Sequence, residues 1–457
     1  MTTRRPTDAS ALKTAPLAAG QHRMWFSEQL NPGSGAYVIQ RALHVSGPLD
    51  LTALRRAVAF MVRRHDVLRT VYRETGSGVE QVVLTETPEV FHVSERRANR
   101  QGGSAVPSAD IDGWIQQRRA QPFDLRTGPV LRFDVLPASS DDHILLLTVH
   151  HIAFDGWSMR MFFQELSTAY DAYVREGRGP ALTPAPSHLD FALSRSADPE
   201  PPAAHLAYWT YELNGAPSAL ELPYDFPPGL RTTGAAHVTT FDLPADAVTR
   251  MGKLALHHRC TPFMAMLACY AAMLCGYGET REVMIAAPVA ERFDSDEAAQ
   301  LMGFLVNLVP LRISCLPGDT MPSLLKRTRE TCLNAAEFPV PFERAVALSK
   351  VPRLPYRTPL AQAAFDLHRP APLPSLSGLD VAERPIRAVT TRFGIELHLE
   401  HHRDASQGTL LVSADLFHRD AADVLAETFT SLVTAWPAAP HMPLHTVAWN
   451  NDTEERH

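Results

Sequence analysis

The sequence predicts a mixed α/β fold of the α+β sandwich type, arranged as two halves, and three observations predict it. The apolar run 144–149 (Ile-Leu-Leu-Leu-Thr-Val), bounded by Asp141-Asp142, reads as a buried strand that ends at His150-His151. After the turn signal Asp155-Gly156, residues Met161, Phe162, Leu166, Tyr170 and Tyr173 recur at helical spacing. A strand near Val238-Thr239-Thr240-Phe241, followed by a helical pattern over 245–257, begins a second half of similar alternation. The Pro/Gly/Ala-rich, helix-poor segment between Glu176 and Pro202 is the expected connection, so the halves divide as 1–178 and 179–457.

The elements follow in order. Residues 14–40 read as a short helix, a loop through Asn31-Pro32-Gly33 and a first strand at Ala36-Tyr37-Val38-Ile39. Asp50 is placed to cap a helix whose apolar face is Leu51, Leu54, Val58, Met61 and Val62, with Arg63 and Arg64 at its C-terminal end. Composition turns polar from Ser94 to Asp110, a surface connection. In the second half Thr261 is the expected cap of a helix, with Pro262 in its first turn and Gly276 past its end. Strands near 396–400 and 409–413 and a final helix complete the pattern.

With 457 residues and 45% apolar content the chain can bury a large core. Its net charge of −7 and the absence of a basic block interleaved with aromatics argue against nucleic acid as a partner. No window reaches the length of a membrane span and no apolar signal core opens the chain, so a cytoplasmic location is expected. Five cysteines without C-x-x-C spacing argue against disulfide staples and a zinc site, and Cys269 and Cys275 fall in an apolar helical pattern as core residues.

The chemistry concentrates at residues 150–158, His-His-Ile-Ala-Phe-Asp-Gly-Trp-Ser. A general base needs an imidazole held in one orientation, and the junction of a strand and a tight turn supplies that; His151 is the candidate. Spacing leaves open whether Asp155 bonds the ring or pairs with a distant Arg. A buried structural His pair and a two-His-one-carboxylate metal site are the competing readings. His257-His258 and His401-His402 lack the strand, turn and helix and read as solvated.

His-His-x-x-x-Asp-Gly followed by Trp-Ser resembles the core motif of nonribosomal peptide synthetase condensation domains, in the wider group of chloramphenicol-acetyltransferase-like acyltransferases. Other stretches match that family in order. Gln21, Arg23, Trp25 and Phe26 agree with its first motif, with Ala18 and Gly20 in place of the usual Ser and Ala. Arg64-His65-Asp66 through Arg69 resembles the second, with Asp for Glu, and Arg64 and Arg69 read as scaffold ion pairs. Ser187-His188-Leu189-Asp190-Phe191-Ala192 resembles the fourth, and Ala290-Glu291-Arg292 with 302–312 the fifth. Glu337-Phe338-Pro339 replaces the His-Gln-Asp that usually opens the sixth, while Arg357-Thr358-Pro359-Leu360 is a weaker match to the seventh.

The resemblance implies two acetyltransferase-like lobes in a V-shaped pseudo-dimer with a central tunnel and His151 midway along it. It implies that Arg292 pairs with Asp155 across the halves, that His150 is structural, and that Trp157, Ser158 and Asn307 line the substrate channel. It further implies a donor held as a thioester on the phosphopantetheine arm of a peptidyl carrier protein. No bound cofactor or metal is expected, and the Gly156 amide is the expected oxyanion donor. The altered sixth motif and the end of the chain at Trp449-Asn450-Asn451-Asp452-Thr453 point to a free-standing enzyme with a small soluble acceptor, forming an amide or an ester in antibiotic assembly. The competing functions are a coenzyme-A-dependent acyltransferase and a non-catalytic carrier-docking platform.

Overall fold

The computed structural model describes residues 11–444 except 31, 77, 95–105, 197–199, 218–219, 221, 230–232, 293–294, 317, 352–357, 387–388 and 402–405. Expectations for the start of the chain, most of the polar connection, Arg357, His402 and the 449–453 stretch fall outside these. In chain order the elements are β1 (Ala11–Pro16), α1 (Ala19–Leu30), β2 (Val38–Ser46), α2 (Leu51–Arg64), β3 (Thr70–Thr75), β4 (Gly78–Leu84) and β5 (Phe91–Val93). Next come α3 (Ser108–Arg119), β6 (Leu131–Pro137), β7 (Asp142–His150), α4 (Gly156–Glu176), α5 (His188–Ser196), α6 (Ala203–Glu212), β8 (Ala236–Leu243) and α7 (Ala245–His257). Then follow α8 (Pro262–Tyr277), β9 (Glu282–Ala290), α9 (Asp296–Ala299), β10 (Val306–Ser314), α10 (Met321–Glu337), α11 (Phe342–Ser349) and β11 (Ala363–His368). The series ends with β12 (Asp380–Arg384), β13 (Ile395–His401), β14 (Ser406–Ser413) and α12 (Arg419–Ala435).

The chain forms two units, and neither is continuous in sequence. The first holds Met1–Pro199, Ala290–Val306 and Ala371–Ile386; the second holds the remainder. The expected boundary at 178/179 thus shifts to 199/200, and two later segments return to the first unit. The connection is also less helix-poor than its composition predicts, because α5 lies inside it.

In the first unit a five-stranded sheet runs β12-β2-β7-β6-β5, and β1, β4 and β3 form a smaller one. β7 is central, pairing antiparallel with β2 (Arg41 opposite Leu147) and with β6 (Phe133 opposite Leu147). Leu145, Leu147 and Val149 enter one core with Leu54, Val58, Met61 and Val62 of α2 and Phe162, Leu166 and Tyr170 of α4. Ile144 and Leu146, on the opposite face, pack with Ile111 and Ile115 of α3. A strand covered on both faces reads as an unbroken apolar run, and that is the pattern of 144–149. Asp50 caps α2 as expected, accepting Thr52 N and Ala53 N at 2.8 and 2.9 Å.

The second unit is built on a six-stranded sheet, β10-β9-β11-β13-β14-β8. α8 is apolar on every side, with Met264 through Cys275 buried, because α7, α10, α12 and β11 all pack against it. Thr261 caps it, accepting Met264 N at 3.2 Å, but the helix continues through Gly276 to Tyr277, and Gly278 takes the cap. Tertiary burial overrides the local cost of Gly276. No single helix among the described residues is long and apolar enough to cross a membrane. The cysteines are free.

Candidate active site

β7 delivers the two histidines into different surroundings. His150 is fully buried. Its Nδ1 accepts Ile152 N–H at 3.1 Å, so its proton is on Nε2, directed at Glu28 Oε1 3.4 Å away. Both ring nitrogens are used within the scaffold. His151 begins a single 3₁₀ turn, His151–Ala153, and is only partly buried. Its backbone N–H donates to Tyr37 O at 2.7 Å and its Nδ1 to Phe154 O at 2.6 Å. A carbonyl can only accept, so Nδ1 carries the proton and the lone pair of the neutral ring lies on Nε2. The Phe304 and His151 rings meet at right angles, with centroids 5.1 Å apart.

Beneath the turn, Ile152 O accepts Gln21 Nε2 at 3.1 Å and the Tyr72 hydroxyl at 3.4 Å. Gln21 is itself buried and accepts Ala18 N–H at 3.0 Å. Its first-motif position is legible in the sequence; its task of bracing the turn that carries His151 is not.

Asp155 does not touch the imidazole. It caps α4, with Oδ1 accepting Ser158 N at 2.8 Å, and Oδ2 accepts Arg292 Nη2 at 2.6 Å and Leu305 N at 3.1 Å. Arg292 and Asp155 are buried together. Arg292 also donates to the carbonyls of Ala298, Leu301 and Gly303, which fixes the 298–303 loop. The expected ion pair is present, but it does not cross the halves: Ala290–Val306 belongs to the unit that carries His151.

Ser158 departs from expectation. It is fully buried, with Oγ 2.9 Å from Asp155 Oδ1 and 3.0 Å from Gly303 O, and it accepts Gly303 N–H at 3.0 Å. It therefore braces the ion pair and lines no channel. Trp157 is half-buried and donates from Nε1 to Ala299 O at 3.0 Å, tying α4 to the same loop. Gly156, the first residue of α4, is exposed, and a Cβ placed there would meet nothing within 4 Å, so the side-chain side of this residue is open. Asn307 lies in the second unit, where its amide donates to Val340 O at 2.8 Å and accepts Phe342 N–H at 3.0 Å, pinning the α10–α11 corner.

His188 is a neighbour that sequence reasoning left without a role. It is buried, and a Cβ on Gly303 would lie 2.2 Å from its Cδ2. Burial, with the Arg292 charge adding to it, holds the ring below the usual imidazole range and so neutral, although Asp66 and Asp155 oppose the shift. Asp66 caps the start of α5, accepting Ser187 Oγ at 2.6 Å and His188 N at 3.0 Å. Arg64 pairs with Glu165 at 2.8 Å as a scaffold ion pair, whereas Arg69 donates to Leu84 O at 2.6 Å. Among the described residues no group of His, Cys, Asp and Glu is arranged to hold a metal ion. The Asp155 carboxylate is already taken by Arg292, Ser158 and Leu305.

The family model for the condensation domain matches residues 11–457. The chain belongs to the condensation domain family. Phosphinothricin tripeptide synthetase PhsC of Streptomyces viridochromogenes is 32% identical over 469 residues, covering 99% of this condensation domain and 42% of that protein. Malpibaldin synthetase of Mortierella alpina is 32% identical over 451 residues, covering 96% of this chain and 8% of that one. The chain thus spans less than half the length of either relative. Among solved structures, the X-domain from teicoplanin biosynthesis superposes with a TM-score of 0.85 at 23% identity, covering 98% of each chain. The first condensation domain of the calcium-dependent antibiotic synthetase, in complex with a substrate analogue, superposes with a TM-score of 0.77 at 19% identity, covering 96% of this chain and 100% of that one. The mixed α/β fold is that of these structures.

Proposed function

We propose that this condensation domain transfers an acyl or aminoacyl group from the phosphopantetheine thioester of a carrier protein to an amine or alcohol acceptor in natural-product assembly. The observation that carries the reading is the hydrogen bond from His151 Nδ1 to Phe154 O, which makes Nε2 the basic nitrogen. A thioester is already activated, so holding the nucleophile within about 3–3.5 Å of its carbonyl supplies much of the rate. The acceptor's lone pair attacks the carbonyl carbon, its proton passes to Nε2, and the carbon–sulfur bond then breaks with the proton returning to the thiolate. The amide of Gly156, an exposed residue, is the proposed donor to the oxyanion.

Family membership supports amide formation. What favours an acceptor other than the usual one is the replaced opening of the sixth motif: Phe338 stacks on Tyr208 at 4.8 Å and its carbonyl accepts Trp209 Nε1 at 2.7 Å, an aromatic corner in the second unit.

A mass-spectrometric transfer assay with an aminoacyl carrier protein and pools of soluble amines and alcohols tests the proposal. Carrier-dependent product, reduced about 10²–10⁴-fold by His151→Ala, is expected. Turnover of an acyl-coenzyme A without carrier would replace the carrier by that donor. Carrier binding without turnover would overturn the enzymatic reading in favour of a docking platform.

A further inference from the structure

The second unit carries a recess of about 530 Å³ between the α7–α8 turn and the first three turns of α10, lined by His258, Arg259, Ser323, Lys326, Arg329 and Glu330 among others. We propose that this recess binds an organic phosphate.

The charges around it are not compensated. None of Arg259, Lys326 and Arg329 makes an ion pair among the described residues, and Glu330 is the one carboxylate in the lining. Asp319, close by, is buried and taken by Arg327 in a two-pronged pair at 2.7 and 3.1 Å, so it does not neutralise the recess. The chain as a whole is acidic, with a net charge of −7, so the positive recess is not a by-product of composition. Arg329 is also held at the rim by the backbone of Arg259. Arg329 Nε donates to Arg259 O at 2.9 Å, and Arg259 sits at φ 56°, a conformation that side-chain-bearing residues seldom adopt.

Three cations against one carboxylate call for a group of at least two negative charges, which a phosphate monoester or diphosphate supplies and a carboxylate does not. The recess falls within the roughly 300–1,000 Å³ of small-molecule sites, larger than a bare phosphate needs. His258 adds a neutral donor, because burial and its neighbours His257 and His441 push its pKa down. A bound phosphate would reverse that shift.

Calorimetric titration of the full chain with ATP, coenzyme A and sodium pyrophosphate tests this. Binding of ATP or coenzyme A below about 1 mM is expected, weakened about tenfold by Lys326→Glu and by added salt. NMR should show the His258 pKa rising on saturation, while carrier-dependent transfer in Lys326→Glu stays at the wild-type rate. Preference between the two organic ligands tells a nucleotide from a pantetheine source. The proposal is overturned if none of the three binds, if pyrophosphate binds as tightly as both, or if Lys326→Glu leaves affinity intact while its melting curve shows it folded. Retention on polyglutamate without small-phosphate binding would reassign the recess to an acidic protein surface and equally overturn it.

Discussion

Two neighbouring histidines in one sequence motif end in opposite tautomers, and the backbone decides which is which. Ile152 N–H claims Nδ1 of His150, whereas Phe154 O claims the Nδ1 proton of His151. The motif shows that an imidazole stands at a strand end; the tautomers depend on where the turn's peptides point, which residue spacing does not carry. The same holds for Asp155, whose two open partners in the sequence resolve to Arg292, 137 residues away. Asp155→Ala would leave a buried guanidinium without its carboxylate, a loss of about 3–5 kcal/mol. Chemical denaturation should show this drop in Asp155→Ala, whereas His151→Ala should melt like the wild type; equal stability of both variants would refute the bracing role. At the first motif, Gly20 replaces the family's Ala, and a Cβ there would lie 2.5 Å from Phe304 Cε1. That ring is packed in the core and against His151, so Gly20→Ala should cost about 1–3 kcal/mol by overpacking and slow transfer as well. Adding Phe304→Leu should recover part of both, measured by melting and by initial rate.

Elements were legible where a local pattern settles them. β7, α2, α4 and α7 announce themselves by apolar runs or helical spacing, and Asp50 and Thr261 by capping chemistry. Boundaries set by tertiary packing were not legible: Gly276 reads as a terminator, yet burial of α8 on all sides carries the helix past it. Least legible was β12, a polar segment with no strong alternation. It pairs antiparallel with β2, Glu383 opposite Leu43, and Arg41 and Glu383 form an ion pair, joining positions more than three hundred residues apart. At this scale Thr261→Ala should lower stability by about 1 kcal/mol, read as a shifted denaturation midpoint with an unchanged slope. A larger loss or a changed slope would mean that Thr261 does more than cap.

For the whole molecule, the two units should respond differently to pH. On the second unit's sheet, parallel β11 and β13 place Asp366, His368, Glu396, His398 and Glu400 on the face opposite Phe365 and Leu397, which sit in the core. His368 Nδ1 lies 2.8 Å from Asp366 and His398 Nε2 3.1 Å from Glu396. Burial lowers both imidazoles, but the hydrogen bonds and charges of the carboxylates outweigh it and raise each to about 9. Conversely, burial raises Glu396, and His398, Arg392 and Thr391 bring it down to about 2. The raised histidines stabilise the fold fully below their unfolded value of about 6.5, and that contribution fades as pH rises through about 9. Glu396 contributes above its unfolded value of about 4.3 and loses this as pH falls through about 2. The array is therefore strongest between about pH 4.5 and 6.5. His188 in the first unit has the opposite sign: its lowered pKa makes the unfolded chain the better proton acceptor below about pH 6.5, so that unit weakens on acidification. Hydrogen exchange followed peptide by peptide should show protection of β11 and β13 falling from pH 6 to 9, with His398→Gln flattening the change. Protection around α5 and residues 301–305 should instead fall from pH 7 to 5. Parallel pH profiles in the two units would refute the opposed histidine shifts, because a global charge effect moves both together.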